Sequence, residues 1–426
     1  MNNKDLLERR DRLLGVGAPV FYDEPVHIVR GEDVWLYDVD GKQYLDVYNN
    51  VPNVGHCHPH VVEALQKQSA TVNVHTRYLH ELILEYVERL TNTHDDSLSM
   101  AFLTCSGTEA NELALRMARF ITGGEGIICS NATYHGNSEA VDELATLFHD
   151  FKAKSKRVKA VPYPESYRPL SDAKGEALAD VYADEVKKAI DEFKEEGIGF
   201  AGILFCPIFA NEGLPNIPEG YMQKAMQHVR DAGGLYIADE VQSGFARTGS
   251  HMWGYQNSGV VPDIVTMGKP MGNGYPLAGL VAGADLVNAF RKDIMYFNTF
   301  GGNPVQCAVG MAVLDVIENE KLQDNSLTTG QYVKDGLNKL KDKHDIIGDV
   351  RGHGLFIGAE LVKDHVSKEG AVEESARVVN EMKERGILLS KIGVHNNILK
   401  IRPPLPFSKD NADQLLSTLD DVLAGL

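Results

Sequence analysis

The sequence predicts an α/β fold, with a large domain built on a mostly parallel sheet and a smaller α+β domain. Three observations predict it. First, short apolar runs alternate with helix-patterned stretches: "MAFLTC", "GIICSN", "GFAGILFCPIF", "GLYIADE" and "PDIVTMG". Strand-sized runs separated by helices are the pattern of crossovers between parallel strands. Second, this rhythm changes beyond about residue 320, where helices and strands mix differently. Third, 426 residues with 43% hydrophobic content can bury more than one core.

Taken in order, residues 1–20 read as a short amphipathic helix and a loop. "VHIVRGEDVWLYDVDGKQYLDVY" alternates and turns at Arg30-Gly31 and Asp40-Gly41, which reads as a small antiparallel sheet. "PHVVEALQKQSATV" and "HELILEYVERLTN" carry apolar residues at helical spacing. After "MAFLTC" a helix is expected from Thr108 to Ile121, followed by the strand "GIICSN". The helix "EGYMQKAMQHVRDAG" separates "GFAGILFCPIF" from "GLYIADE", and "PLAGLVAGADLVNAF" adds a strand and a helix. "CAVGMAVLDVIENEKLQDNSLTTGQYVKDGLNKLKDKH" reads as mostly helical, so a boundary near residue 320 falls inside helical sequence. "IIGDVRGHGLFIGAELV", "VVNEMKERGILLS", "NILKIRPPLPF" and "NADQLLSTLDDVLAG" then suggest the small domain.

A formal net charge of -18 disfavours nucleic acid and acidic membrane surfaces as partners. The five cysteines form no CxxC pair, so neither a disulfide framework nor a metal site is expected, and a reducing, cytoplasmic compartment fits. No apolar run reaches membrane length, and "MNNKDLLERRDRLLG" lacks the apolar core of a signal peptide.

The chemistry gathers where apolar runs end. Asp239 and Glu240 follow Leu235–Ala238, and Lys269 follows "DIVTM". In parallel sheets, ligands sit beyond the carboxyl ends of the strands. An acid and an amine could therefore meet at one sheet edge. A desolvated lysine loses its proton more readily and, once neutral, can form a Schiff base with an aldehyde. A buried aspartate can keep a pyridinium nitrogen protonated, which preserves the ring as an electron sink. Equally, Asp239 and Glu240 could simply solvate a strand end. Ser106, Gly107 and Thr108 form a turn into a helix start, where free N–H groups favour a phosphate. The same residues could be an ordinary cap. Tyr134 and His135 stand before Gly136, just past another strand, and an aromatic there could stack on a ring.

Together these motifs resemble the class III (omega) aminotransferases, fold-type I enzymes that use pyridoxal 5'-phosphate (PLP). "LYIADEVQSGFARTGSHMWG" and "PDIVTMGKPMGNGYPLAG" carry the resemblance most strongly. "NVGHCHPHV", "CSGTEANELALRMAR", "YHG", "NTFGGNPVQCA", "VRGHGLFIGAEL" and "LKIRPPLPF" follow in the same order. The resemblance implies that Lys269 holds the cofactor covalently and Asp239 pairs with its ring nitrogen. It places Gln242 near the ring hydroxyl, Tyr134 or His135 on the ring face, and Ser106, Gly107 and Thr108 on the phosphate. It also implies a homodimer with sites at the interface, Thr299 reaching the phosphate from the facing subunit. Residues 1–60 are expected to join the small domain (321–426), leaving 61–320 as the large cofactor-binding domain.

"NVHTRYLHELILEYVERL" and "LLSKIGVHNNILKIRPPLPF" are similar to the branch of ethanolamine-phosphate and 5-phosphohydroxylysine phospho-lyases. Arg77 could then pair with a substrate phosphate or phosphonate, since a guanidinium fork matches those oxygens, or equally hold a neighbouring acid. Arg402 corresponds to an arginine that many relatives use for a substrate carboxylate; in "KIRPP" it reads equally as a partly exposed strand cation. "FANEGLPN" departs from the common Glu-Pro pattern, with Glu212 at a shifted position. The expected activity is elimination from a small phosphorylated or phosphonylated amine. Transamination to pyruvate or 2-oxoglutarate, and a non-catalytic scaffold, are the competing readings.

Overall fold

The computed structural model describes residues 3–148 and 155–426. Near the N-terminus, β1 (Ile28–Glu32), β2 (Trp35–Asp38) and β3 (Gln43–Asp46) form an antiparallel ladder. The central strands follow: β4 (Met100–Thr104), β5 (Gly126–Ser130), β6 (Val158–Val161), β7 (Phe200–Phe205), β8 (Leu235–Asp239), β9 (Ile264–Met267) and β10 (Ala278–Ala282). They build one sheet in the order β4-β10-β9-β8-β7-β5-β6. Neighbours from β9 to β6 pair in parallel, and β10 runs antiparallel to both β9 and β4. Every residue of β5, β9 and β10 is buried, as the near-continuous apolar runs require of strands covered on both faces. The mostly parallel sheet expected from the sequence is therefore present.

The last strands are β11 (Ile347–His353), β12 (Phe356–Leu361), β13 (Ile387–Leu388), β14 (Ser390–Ile392) and β15 (Ile398–Ile401). Four of them form an antiparallel sheet, β11-β12-β15-β14. β13 instead pairs in parallel with β3, setting Ile387 beside Leu45. The two ends of the chain thus share a sheet. Arg402 N–H donates to Val47 O at 2.8 Å and Leu405 N–H to Asn53 O at 2.7 Å, extending the same seam.

Near residue 320 the mostly helical stretch is broken. One helix ends at Asn319 and the next starts at Leu322, with Lys321 in the left-handed region at φ 53°. Periodicity alone hides a two-residue break of this kind, because both flanking helices keep the same apolar spacing.

A buried arginine ties the layers together. Arg247 donates to Leu355 O at 3.0 Å, to Pro403 O and to Asn53 Oδ1 at 2.8 Å. It therefore spans the segment after β8, the small sheet and the N-terminal segment.

Candidate active site

The carboxyl ends of β5, β7, β8 and β9 open into a cavity of about 270 Å³, lined by Gly107, Thr108, Tyr134, His135, Cys206, Asn211, Asp239, Val241, Gln242 and Lys269, with Gly136 beside them. A larger groove of about 640 Å³ lies under the helix Asn3–Leu14, but its walls are mainly apolar and bring Arg9, Arg10 and His27 together with no carboxylate or nucleophile. The chemistry is in the smaller cavity.

Asp239 ends β8 and is buried. Its Oδ2 accepts from Asn111 Nδ2 at 3.0 Å and meets His135 Nδ1 at 2.7 Å, while Oδ1 accepts from Val241 N–H at 3.0 Å. Burial alone would raise this carboxyl; His135, the Val241 N–H and Lys269 outweigh burial and hold it below its ordinary value. Asn111 is itself fixed, accepting from Thr266 Oγ1 at 2.6 Å. Glu240 points elsewhere. It accepts from Ser243 Oγ at 2.5 Å, Gly254 N–H at 2.9 Å and Tyr255 N–H at 2.7 Å, so it pins the loop after β8 rather than solvating a strand end.

Lys269 follows Gly268 at the end of β9 with φ 33°, a left-handed backbone that a non-glycine residue adopts only under constraint. Its side chain faces the open cavity and is wetted there, although protein surrounds it. Burial, and then the charge of Arg402, pull the amine down to about 8, against the opposing pull of Asp239.

The helix Gly107–Thr122 starts at the cavity wall. Ser106 caps it, its Oγ accepting from Glu109 N–H at 3.2 Å. The N–H groups of Gly107 and Thr108 have no partner available within the helix. A Cβ on Gly107 would lie 2.9 Å from Val241 Cγ2, and one on Gly136 would lie 2.6 Å from Thr108 Oγ1. Glycine at these two positions keeps the cradle open.

On the far side, two cations converge; among the described residues no carboxylate pairs with either, although the charge of Asp46 bears on Arg402. Lys400 Nζ donates to Gln242 Oε1 at 3.2 Å, and Arg402 Nη1 donates to the same oxygen. Arg402 Nε also donates to Tyr48 O at 3.2 Å. Both side chains are buried, and neither forms an ion pair among the described residues. Burial, with Arg402 and Lys269 alongside, pulls the Lys400 amine well below its ordinary value. Gln242 is oriented in turn by Asn211, which accepts its Nε2 at 3.0 Å and donates to Tyr134 O at 3.1 Å.

The residues singled out in the sequence divide into three groups. Gly107, Thr108, Tyr134, His135, Asp239, Gln242 and Lys269 line one cavity, with Ser106 capping the helix at its edge and Arg402 on Gln242. Glu212 does not line the cavity: it is buried behind it, bonded to Ser130 Oγ, and the neighbouring residue Asn211 is the one that faces inward. Arg77 and Thr299 are exposed and absent from the wall. Arg77 stacks on Phe297, its Cζ 4.1 Å from the ring centroid. Lys400, Asn111 and Asn211 were not anticipated. For Lys400 a signal existed, since residues two apart on a strand share a face and "LKIR" sets Lys400 beside Arg402.

The cavity fits PLP: an amine, a buried carboxylate and an anion-seeking helix start surround a space of the right kind, kept open by glycine. The sequence profile of class III aminotransferases matches residues 19–423. The chain belongs to the class III aminotransferase family. As a class III member it is a PLP-dependent enzyme. It is similar to a solved phospholyase from Arthrobacter in complex with phosphoethanolamine, with a TM-score of 0.96, 44% identity, and coverage of 99% of this chain and 100% of that one. An ethanolamine-phosphate phospho-lyase homolog 1 of Caenorhabditis elegans is 36% identical over 99% of this chain and 94% of its own length. An Arabidopsis thaliana alanine–glyoxylate aminotransferase 2 homolog 2, mitochondrial, is 41% identical over 97% of this chain and 86% of its own length. This class III chain therefore lies near both lyase-named and aminotransferase-named relatives.

Proposed function

We propose that this class III enzyme is a lyase that removes phosphate and ammonia from a small phosphorylated amine such as ethanolamine phosphate. The observation that carries the reading is the buried pair Lys400 and Arg402, both aimed at Gln242 and without an ion-pair partner among the described residues. Two buried cations without a paired anion are costly. A phosphate arriving with the substrate supplies the missing charge, and a guanidinium with an ammonium holds it well. The likeness to a phospholyase bound to phosphoethanolamine supports the same chemistry.

In this reading Lys269 holds PLP through its amine, Asp239 faces the ring nitrogen, Tyr134 lies near a ring face, and the Gly107–Thr108 N–H groups take its phosphate. Bound there, PLP supplies an electron sink for negative charge at the carbon bearing the substrate amine. Lys269 Nζ, pulled down to about 8, is the base nearest that carbon once freed. Lys400 and Arg402 hold the substrate phosphate oxygens, orient the C–O bond and take up the charge that grows as it breaks. The electron pair of the C–H bond becomes the new C–C double bond, and inorganic phosphate leaves. Water then converts the enamine to aldehyde and ammonia.

The 71–80 loop and the 295–302 loop supply Arg77 and Thr299, and a Cβ on Gly302 would lie 2.9 Å from Thr76 Cγ2, so the loops are packed together. Leu79, Tyr78, Met295 and Phe300 are exposed around them at 100%, 63%, 86% and 69%. A surface this apolar supports an association site. We infer a homodimer in which Arg77 and Thr299 serve the facing subunit's cavity. No described helix is long and apolar enough to cross a membrane. All five cysteines are free thiols, which accords with a cytoplasmic setting.

The test is product analysis on ethanolamine phosphate without any keto acid. Sustained release of phosphate, ammonia and acetaldehyde is expected. Turnover that stops after one equivalent and resumes only with pyruvate or glyoxylate would establish transamination instead.

A further inference from the structure

Two buried cations that share one uncharged acceptor need further support, and two aromatic rings supply it. Lys400 and Arg402 stand two apart at the end of β15, so their side chains leave the same face. Arg402 Cζ lies over the Phe356 ring, 5.1 Å from its centroid, and over the Tyr48 ring at 5.3 Å. Lys400 Nζ lies over the same two rings, 5.6 Å from Phe356 and 5.8 Å from Tyr48. Phe356 opens β12, which pairs with β15, and Gly358, opposite Lys400 in that ladder, has no side chain to intervene. Tyr48 comes from the segment after β3, at the other end of the chain. Phe21 braces its ring edge-on, with centroids 5.0 Å apart and planes at 66°. The Tyr48 backbone is fixed separately: its N–H donates to Asp46 Oδ1 at 3.0 Å, and its carbonyl accepts from Arg402 Nε at 3.2 Å.

We propose that Tyr48 and Phe356 form an aromatic box around Lys400 and Arg402 that makes this site selective for a doubly charged phosphate or phosphonate over a carboxylate.

A ring face carries partial negative charge, so it steadies a cation without neutralising it. A carboxylate in the same place would cancel one of the two charges before any ligand arrived. Here the hydrogen bonds of both cations go to uncharged oxygens, those of Gln242 and the Tyr48 carbonyl. Asp46, the acid whose charge bears on Arg402, commits its own oxygens to His56, Asn49 and the Tyr48 N–H. Burial pulls the Lys400 amine down, and two ring faces act against that pull by favouring the ammonium form. Without them the amine would give up its proton more readily, and the site would offer a ligand one charge instead of two. A carboxylate can match one such charge, whereas a phosphate dianion matches both. With rings on two sides, the heads of both cations turn to Gln242 at the cavity wall. The inference rests on the reading of Lys400 and Arg402 as the place where the substrate phosphate binds.

The test is calorimetric titration of holoenzyme, whose cofactor phosphate site is filled, with inorganic phosphate and separately with acetate. Wild type is expected to bind phosphate more tightly than acetate. Tyr48→Leu keeps apolar bulk but removes the ring, and phosphate affinity should fall about 3- to 30-fold, the worth of a desolvated cation–ring contact. Acetate should change less, so the preference narrows. Tyr48→Phe keeps the ring and should retain the wild-type preference. Phosphate affinity unchanged in Tyr48→Leu, or lowered as much by Tyr48→Phe, overturns the proposal, as does a wild type that favours acetate. If Tyr48→Leu does not fold, ring-fluorinated phenylalanine at position 48 decides, because the shape stays while the face loses its negative charge. Phosphate affinity below that of Tyr48→Phe then supports the box, and equal affinity overturns it. Product analysis on the same samples separates the two readings. Ring-dependent phosphate binding without turnover of ethanolamine phosphate removes the lyase reading and leaves the box. Sustained turnover with phosphate affinity unchanged in Tyr48→Leu removes the box and leaves the lyase reading.

Discussion

Lys269 and its neighbours set what single substitutions should do. Lys269→Ala removes the attachment point and the base together, so phosphate release should fall by at least about 10³-fold. Because burial and Arg402 lower the amine from its ordinary value to about 8, its neutral fraction grows as pH rises through that region. Uptake of PLP by cofactor-free enzyme should therefore accelerate from pH 7 to 9 and level off above, read by the growth of the cofactor's absorbance band. Lys400→Met should raise KM for ethanolamine phosphate by roughly 10- to 100-fold, the worth of a charged hydrogen bond, while leaving cofactor uptake intact. Lys269 and Asp239 were legible in the sequence because each ends an apolar run at the same sheet edge. Glu212 was misplaced for a physical reason. After β7 the chain leaves regular structure, with Phe209 and Leu214 in left-handed conformations, and no periodicity tells which of Asn211 and Glu212 turns inward.

Elements position these residues, and their loss should register as stability. Glu240 satisfies two buried backbone N–H groups of the short helix Gly254–Asn257 as well as Ser243. Glu240→Ala strands those donors and should cost about 3 kcal/mol, seen as a lower denaturant midpoint. The sequence could not separate Asp239 from Glu240 beyond saying that adjacent strand residues face opposite ways. What it lacked was the partner loop, whose N–H groups give the second acid a structural task. The sheet itself was readable, since strands buried on both faces leave continuous apolar runs. The antiparallel direction of β10 was not, because apolar runs carry no record of chain direction.

At the scale of the whole molecule, the exposed loops bearing Arg77 and Thr299 predict complementation. Lys269→Ala and Arg77→Ala are each expected to be inactive as pure dimers. Mixed dimers, formed by co-expression, should regain about a quarter of wild-type activity, because half the molecules are hybrids and each hybrid holds one intact site. No recovery would place Arg77 in its own subunit's cavity or outside the site altogether. The pairing of β3 with β13 has a consequence for how this enzyme is made. Leu45 leaves the ribosome long before Ile387 exists, and Lys400 and Arg402 emerge later still. The opening ladder must therefore wait with one edge bare, and a nascent chain already containing Lys269 cannot yet bind a phosphorylated amine. Truncation of the final strands should leave a chain that gathers chaperones instead of substrate.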